Sequence, residues 1–117
     1  MQNFKSLVVW QDAHTFTLDI YRISKTFPKE EIYGLTSQLR RASASIPANI
    51  AEGCAKSSKL DFARILEIAL GSANETDYFM LLAKDLGYLN PENYGHAANQ
   101  INKIKAMLIN LIQQVRK

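Results

Sequence analysis

Arg41, Ser45, Asn49 and Glu52 follow one another at steps of four, four and three residues, the spacing that lines side chains along one face of a helix. A guanidinium, a hydroxyl, an amide and a carboxylate in one lane can do two kinds of work. They can hold an anion or relay a proton, or they can pair with polar groups of neighbouring helices and fix their register. Glu75 supplies a second carboxylate, and both it and Glu52 are expected to face the interior near Arg41 and the serines. Paired carboxylates perform acid–base chemistry only in a cleft that shifts their pKa values, and no motif in the chain marks such a cleft. The lane is therefore read as structural. Because it adjoins apolar positions, loss of Arg41 or Glu52 is expected to strand a partner and damage folding or assembly.

The other chemistry within reach is phosphate neutralisation. The chain carries a formal charge of +3 and has a pI near 9.1, mild for a dedicated DNA-binding domain but compatible with contact to RNA or DNA. The candidates are Arg40, Lys56, Lys59, Arg64, Lys103, Lys105, Arg116 and Lys117. From Pro91 onward four of these cations face a lone acid, Glu92. Lys103 and Lys105 lie off the apolar lane of Ile101, Ile104 and Leu108 and are expected to meet phosphate. Arg116 and Lys117 also suit the negative end of a helix. No aromatic platform for stacking bases is evident, so the expected contact is to the backbone rather than to base edges. The plain alternative is that these lysines form only a solvated face.

His14 and His96 do not stand in the Glu-x-x-His pairs of a di-iron bundle. His-Glu-x-x-His, Cys-x-x-Cys, Walker A, dinucleotide glycine and Gly-x-Ser-x-Gly patterns are all missing. The reading is a protein without metal, cofactor or enzymatic activity. Cys54 is the sole cysteine and has no histidine partner in a known motif. It cannot form an internal disulfide, which makes a reducing, cytoplasmic compartment the default. The first residues lack the apolar run of a signal peptide, and no stretch is an uninterrupted apolar transmembrane span.

Helices must position these side chains. A chain of 117 residues, 47% hydrophobic, with five glycines and three prolines, reads as one all-α domain over 1–117. Residues 1–8 are expected to be an extended or frayed lead-in. Val9, Ala13, Phe16, Ile20, Ile23 and Phe27 then mark a first helix over about 9–26, stopped by Pro28, with Trp10 as a lid on the core. Leu35, Leu39, Ala42, Ile46, Ile50 and Gly53 are the core face of a second helix over about 36–54, entered through a bend at Gly34 and capped by Thr36. Ala44, Ala48, Ala51 and Ala55 form a small-residue lane beside it. Pro47 sits mid-helix, where proline removes a hydrogen bond and crowds the carbonyl of Ser43, a load of about 3 kcal/mol. A kink is expected, with Ser43 and Ser45 satisfying the freed groups. Ser58 opens a third helix over about 58–86, closed by Gly87, and Asn90-Pro91 opens a fourth over about 91–115. Four helices with short connections give an antiparallel up-down-up-down four-helix bundle with a Pro-kinked second helix. The third helix is apolar on more sides than one bundle core can use, which points to a subunit interface.

Several blocks carry more than periodicity. They are Val9-Trp10-Gln11-x-Ala13, then Phe27-Pro28-x-Glu30-Glu31-x-Tyr33-Gly34-Leu35-Thr36-x-Gln38, then Arg40-Arg41-Ala42-x-x-Ser45-Ile46-x-x-Asn49-Ile50-Ala51-Glu52-Gly53. Ile68-Ala69-x-Gly71-Ser72-x-x-Glu75 and Leu86-Gly87-Tyr88-Leu89 follow in the same order. In these blocks the chain resembles the four-helix-bundle family of 23S ribosomal RNA intervening-sequence proteins, relatives of which serve as accessory proteins of diversity-generating retroelements. The resemblance implies a homo-oligomer, a ring of five.

Two functions follow as expectations. The first is a nucleic-acid-binding or nucleoprotein accessory module that neutralises RNA or DNA phosphates with the cations named above. The second is a protein–protein scaffold whose partner is another protein, for example a reverse transcriptase. Salt-dependent nucleic-acid affinity separates the two.

Overall fold

The structure is a computed structural model and describes residues 2–117. Four long helices carry nearly all of it: α1 (Val8–Ile23), α2 (Leu35–Cys54), α3 (Lys59–Asp85) and α4 (Pro91–Arg116). Among the described residues there is no strand. Each helix packs on its neighbours in sequence and α4 closes back on α1, the ring of an up-down-up-down bundle, about 43 Å long and 20–24 Å across.

Local chemistry explains most boundaries. Ser58 accepts a hydrogen bond from the Asp61 N–H, and Asn90 accepts one from the Asn93 N–H with proline at the first helical position of α4. Gly87 takes φ +81°, the left-handed turn that ends α3. The first helix, expected over about 9–26, runs as α-helix over Val8–Ile23 and is followed by a 3-10 turn over Ser24–Thr26. Two expectations fail. Met1 lies outside the described residues, and the rest of the lead-in is held in place: Phe4–Ser6 form a 3-10 turn whose N-cap, Asn3, accepts from the Lys5 N–H, and the Gln2 N–H donates to the Cys54 carbonyl at 3.1 Å. Thr36 does not cap α2 but is buried inside its first turn. The capping group is Glu31, whose Oε1 accepts from the Leu35 N–H at 3.1 Å. It reaches there because Gly34 lacks a Cβ; one would stand 2.7 Å from that oxygen.

The core follows the sequence lanes. Val9, Ala13, Phe16, Ile20 and Phe27 from the first segment meet Leu35, Leu39, Ile46 and Ile50 of α2 and Ile101, Ile104 and Leu108 of α4. The buried side of α3 is mostly small, with Ala63, Ala69, Ala73 and Ala83 around Leu66 and Met80, which draws its backbone close to its neighbours. Gly53 serves the same end: a Cβ there would meet the Phe62 ring at 2.9 Å. Trp10 is half-buried, stacked on His14 and edge-on to Phe4.

Pro47 is accommodated by α1. Helix α2 runs unbroken through it. The carbonyl that proline leaves without a donor is that of Ser43, and the buried Thr17 hydroxyl lies 3.0 Å from it and 2.9 Å from the Ala13 carbonyl. Ser43 and Ser45 were expected to fill that role. Their hydroxyls instead donate back to the carbonyls of Arg40 and Arg41. A freed backbone group in α2 has thus become a tie to α1.

Candidate nucleic-acid interface

The eight sequence-named cations sort by what already holds them. Arg40 is a structural pin: its Nε donates to the Ser24 hydroxyl at 2.8 Å, an Nη2 N–H donates to the Tyr21 carbonyl at 3.3 Å, and the guanidinium lies over the Tyr21 ring. Lys105 donates to Asp77 of α3, and its side chain is only 19% exposed. Arg116 is paired with Glu67, and Arg64 with Asp61 one turn earlier on α3. Lys103 reaches Asp12 of α1 at 3.5 Å with 70% of its side chain exposed, a loose contact. The two inner lysines of α4 therefore link helices, Lys105 firmly and Lys103 weakly. Lys56, Lys59 and Lys117 are exposed and have no carboxylate partner among the described residues.

Those three stand at one end of the bundle. A shallow cleft of about 240 Å³ there is lined by Gln2, Cys54, Lys56, Lys59, Phe62 and Gln114, among others, so the N-terminal turn, the α2–α3 loop and the end of α4 converge on it. The tie from Gln2 to Cys54 places Lys5 on the same end, exposed and likewise without a carboxylate partner. Sequence reasoning missed Lys5 because the lead-in was read as frayed; the Asn3-x-Lys5 turn signal was the available clue. Residues 2–6, 52–67 and 114–117 together hold six cations and three carboxylates. The rest of the chain holds eight of each, so the whole formal excess of +3 sits at this end. Burial also pushes the Cys54 thiol above its ordinary pKa.

The polar lane is placed differently from its expectation. Arg41 and Glu52 are exposed and Ser45 and Asn49 half-buried; Asn49 donates to the Ser45 carbonyl at 2.7 Å. Glu75 is exposed too, so neither Glu52 nor Glu75 lies inside the bundle. The lane runs along the rim of the α2–α3 contact, where neighbouring side chains do not close over it. Arg41, Ser45 and Glu75 come together in an open polar groove of about 400 Å³ with Tyr33, Ser37 and Gln38, but Arg41 and Glu75 form no ion pair. Glu52 is absent from that groove. Among the described residues no group of three or more His, Cys, Asp or Glu side chains could hold a metal, and no helix is long and apolar enough to cross a membrane.

Comparison with known proteins agrees with this architecture. The family model for 23S rRNA-intervening sequence proteins matches residues 5–110. A crystal structure of a protein of unknown function from the S23 ribosomal protein family of Bacteroides thetaiotaomicron superposes with a TM-score of 0.81 at 31% identity. That match covers 90% of this chain and 98% of the other. No curated protein matches the chain. The matched span takes in all of α1, α2 and α3 and most of α4, and the chain belongs to the family of 23S rRNA-intervening sequence proteins.

Proposed function

We propose that this protein is a non-enzymatic, self-associating accessory of nucleic acid that holds RNA or DNA phosphates at the basic end of its bundle. The observation that carries the reading is the placement of the whole charge excess at one end, with Lys5, Lys56, Lys59 and Lys117 unpaired there among the described residues. Cations without a carboxylate partner give up no ion pair when they meet phosphate, and release of counterions from the nucleic acid supplies the driving force. The family's description refers to an intervening sequence of 23S rRNA, which makes RNA the first ligand to test.

Self-association rests on α3. Leu60, Ile68, Tyr78 and Leu81 are exposed along its outer side, with Ile68 and Tyr78 both more than half exposed. Apolar side chains left exposed along a helix already packed on two sides are the positions that a second copy would cover. A closed ring, five-membered by the resemblance noted above, would repeat the basic end around one axis and multiply weak phosphate contacts. The same apolar strip favours a second reading, a scaffold that seats a partner protein such as a reverse transcriptase without touching nucleic acid. A cytoplasmic site of action fits the single buried thiol.

Binding of a single-stranded RNA and of a DNA duplex, measured from low to physiological salt, tests the proposal, with light scattering on the same samples. The nucleic-acid reading expects affinity that falls steeply with salt, by about 0.7 log units per log unit of salt for each phosphate held on a single strand. Absence of binding at low salt leaves the scaffold reading, and a strictly monomeric species removes self-association from both.

A further inference from the structure

At the opposite end of the bundle, a second cleft of about 310 Å³ lies where the α1–α2 linker crosses over the start of α2. We propose that it binds a small anion with a compact apolar body, the chemistry of an aryl or short-chain carboxylate. Three observations combine. First, Thr36, only 2% exposed, lines the cleft, and its Oγ1 is buried without a hydrogen-bond partner in the protein. A buried hydroxyl left unpaired is costly, and a threonine in a helix usually donates to the carbonyl four residues back, which this one does not. Second, the charged residues of the cleft are all cations. Lys25 and Lys29 are exposed on its rim, and Arg40 uses two of its five N–H donors on Ser24 and Tyr21, so three remain. The nearby Glu31 does not line the cleft; its oxygens are engaged by the Leu35 N–H and the Tyr88 hydroxyl. Third, Phe27, Pro28 and Ile32 supply apolar walls.

A carboxylate can accept from the Thr36 hydroxyl and the free guanidinium donors at once while its apolar part lies on the proline and isoleucine. A bare anion would waste the walls, and a neutral ring would waste the cations. The volume sits at the lower end of small-ligand pockets, so a ligand of about ten heavy atoms is expected to bind with a Kd of about a millimolar. This site shares no residue with the basic end.

Benzoate is the probe, titrated into the full chain labelled with 15N while backbone amide shifts are followed. Saturable shifts confined to residues 24–40 are expected, with benzamide and acetate each weaker by about tenfold. Thr36→Val keeps the shape and removes the hydroxyl, so it should keep or raise Tm while weakening benzoate about tenfold. The double change Lys25→Gln with Lys29→Gln touches only the rim and should weaken benzoate without moving Tm. Benzoate that gives no saturable shifts in 24–40 overturns the proposal, as does benzamide binding equally well. Undiminished binding by Thr36→Val or by the rim variant overturns it too; should Thr36→Val fail to fold, the rim variant alone decides.

Discussion

Where α1 hands over to α2, Arg40 donates to Ser24 and to the Tyr21 carbonyl and lies on the Tyr21 ring, and Glu31 ties the α2 N-terminus to Tyr88. At the other end, Lys5, Lys56, Lys59 and Lys117 project from turns and a helix terminus and form no ion pair among the described residues. The same residue classes do opposite things at the two ends. At the first they are side chains of the scaffold, and removing one leaves buried or half-buried groups unpaired. At the second they are surplus to the fold, so their net charge is available to an anion outside it. A list of cations along a chain cannot separate these roles; the difference lies in what already occupies their donors.

The largest effects should come from cutting the ties. Thr17→Val strands the Ser43 carbonyl beside Pro47 and should cost about 1–3 kcal/mol; Arg40→Ala removes the donors to Ser24 and Tyr21 but leaves the Ser24 hydroxyl its own bond to the Tyr21 carbonyl, and should cost about 1 kcal/mol, each read as a lower denaturation midpoint with unchanged helix content. Next is the cap of α3: Ser58→Ala should cost about 1 kcal/mol, even though Ser58 stands at the basic end. Smaller again are Arg41→Ala and Glu52→Ala. Both side chains are exposed, and each variant should stay within about 0.5 kcal/mol of the parent in thermal melts; a larger loss would mean the lane is covered, as in an assembly. The smallest effect is confined to alkaline pH. The hydrogen bond to Glu31 raises the Tyr88 pKa, so the contribution of that bond is fully present below the ordinary phenol range and is lost as pH climbs through the raised value. Tyr88→Phe should flatten that alkaline fall in stability, and an unchanged pH profile would count against the bond.

Most of the fold was legible because its signals are local. The lanes of α1, α2 and α4, the caps at Ser58 and Asn90 and the turn at Gly87 each depend on residues within one helical turn. Two failures share a cause. Thr36 lost its capping role to Glu31, and Ser43 lost the freed carbonyl to Thr17, a residue 26 positions away. Sequence shows that a group needs a partner, not which distant side chain arrives. The polar lane failed for a different reason. Helical periodicity says that Arg41, Ser45, Asn49 and Glu52 share a face, but the width of the covered arc is set by α3, whose core side is mostly alanine and leaves the rim open. The candidate interface was legible in part. Lys56, Lys59 and Lys117 could be named from charge, while the occupation of Lys105 by Asp77 and Arg116 by Glu67 is tertiary. The turn at Asn3-x-Lys5 is a local signal, but the place of Lys5 at this end depends on the tie from Gln2 to Cys54.

The most direct test of the account sets two charge-removal variants side by side in RNA binding across a salt series. One changes Lys56, Lys59 and Lys117 to Gln; the other changes Lys103 and Lys105 to Gln. The account predicts that the first keeps the parent Tm, binds RNA more weakly and loses about 0.7 from its salt slope for each phosphate contact removed. It predicts that the second keeps most of its affinity and slope. Unchanged affinity and slope in the first variant, with loss in the second, would contradict the account and move the interface to the face of α4.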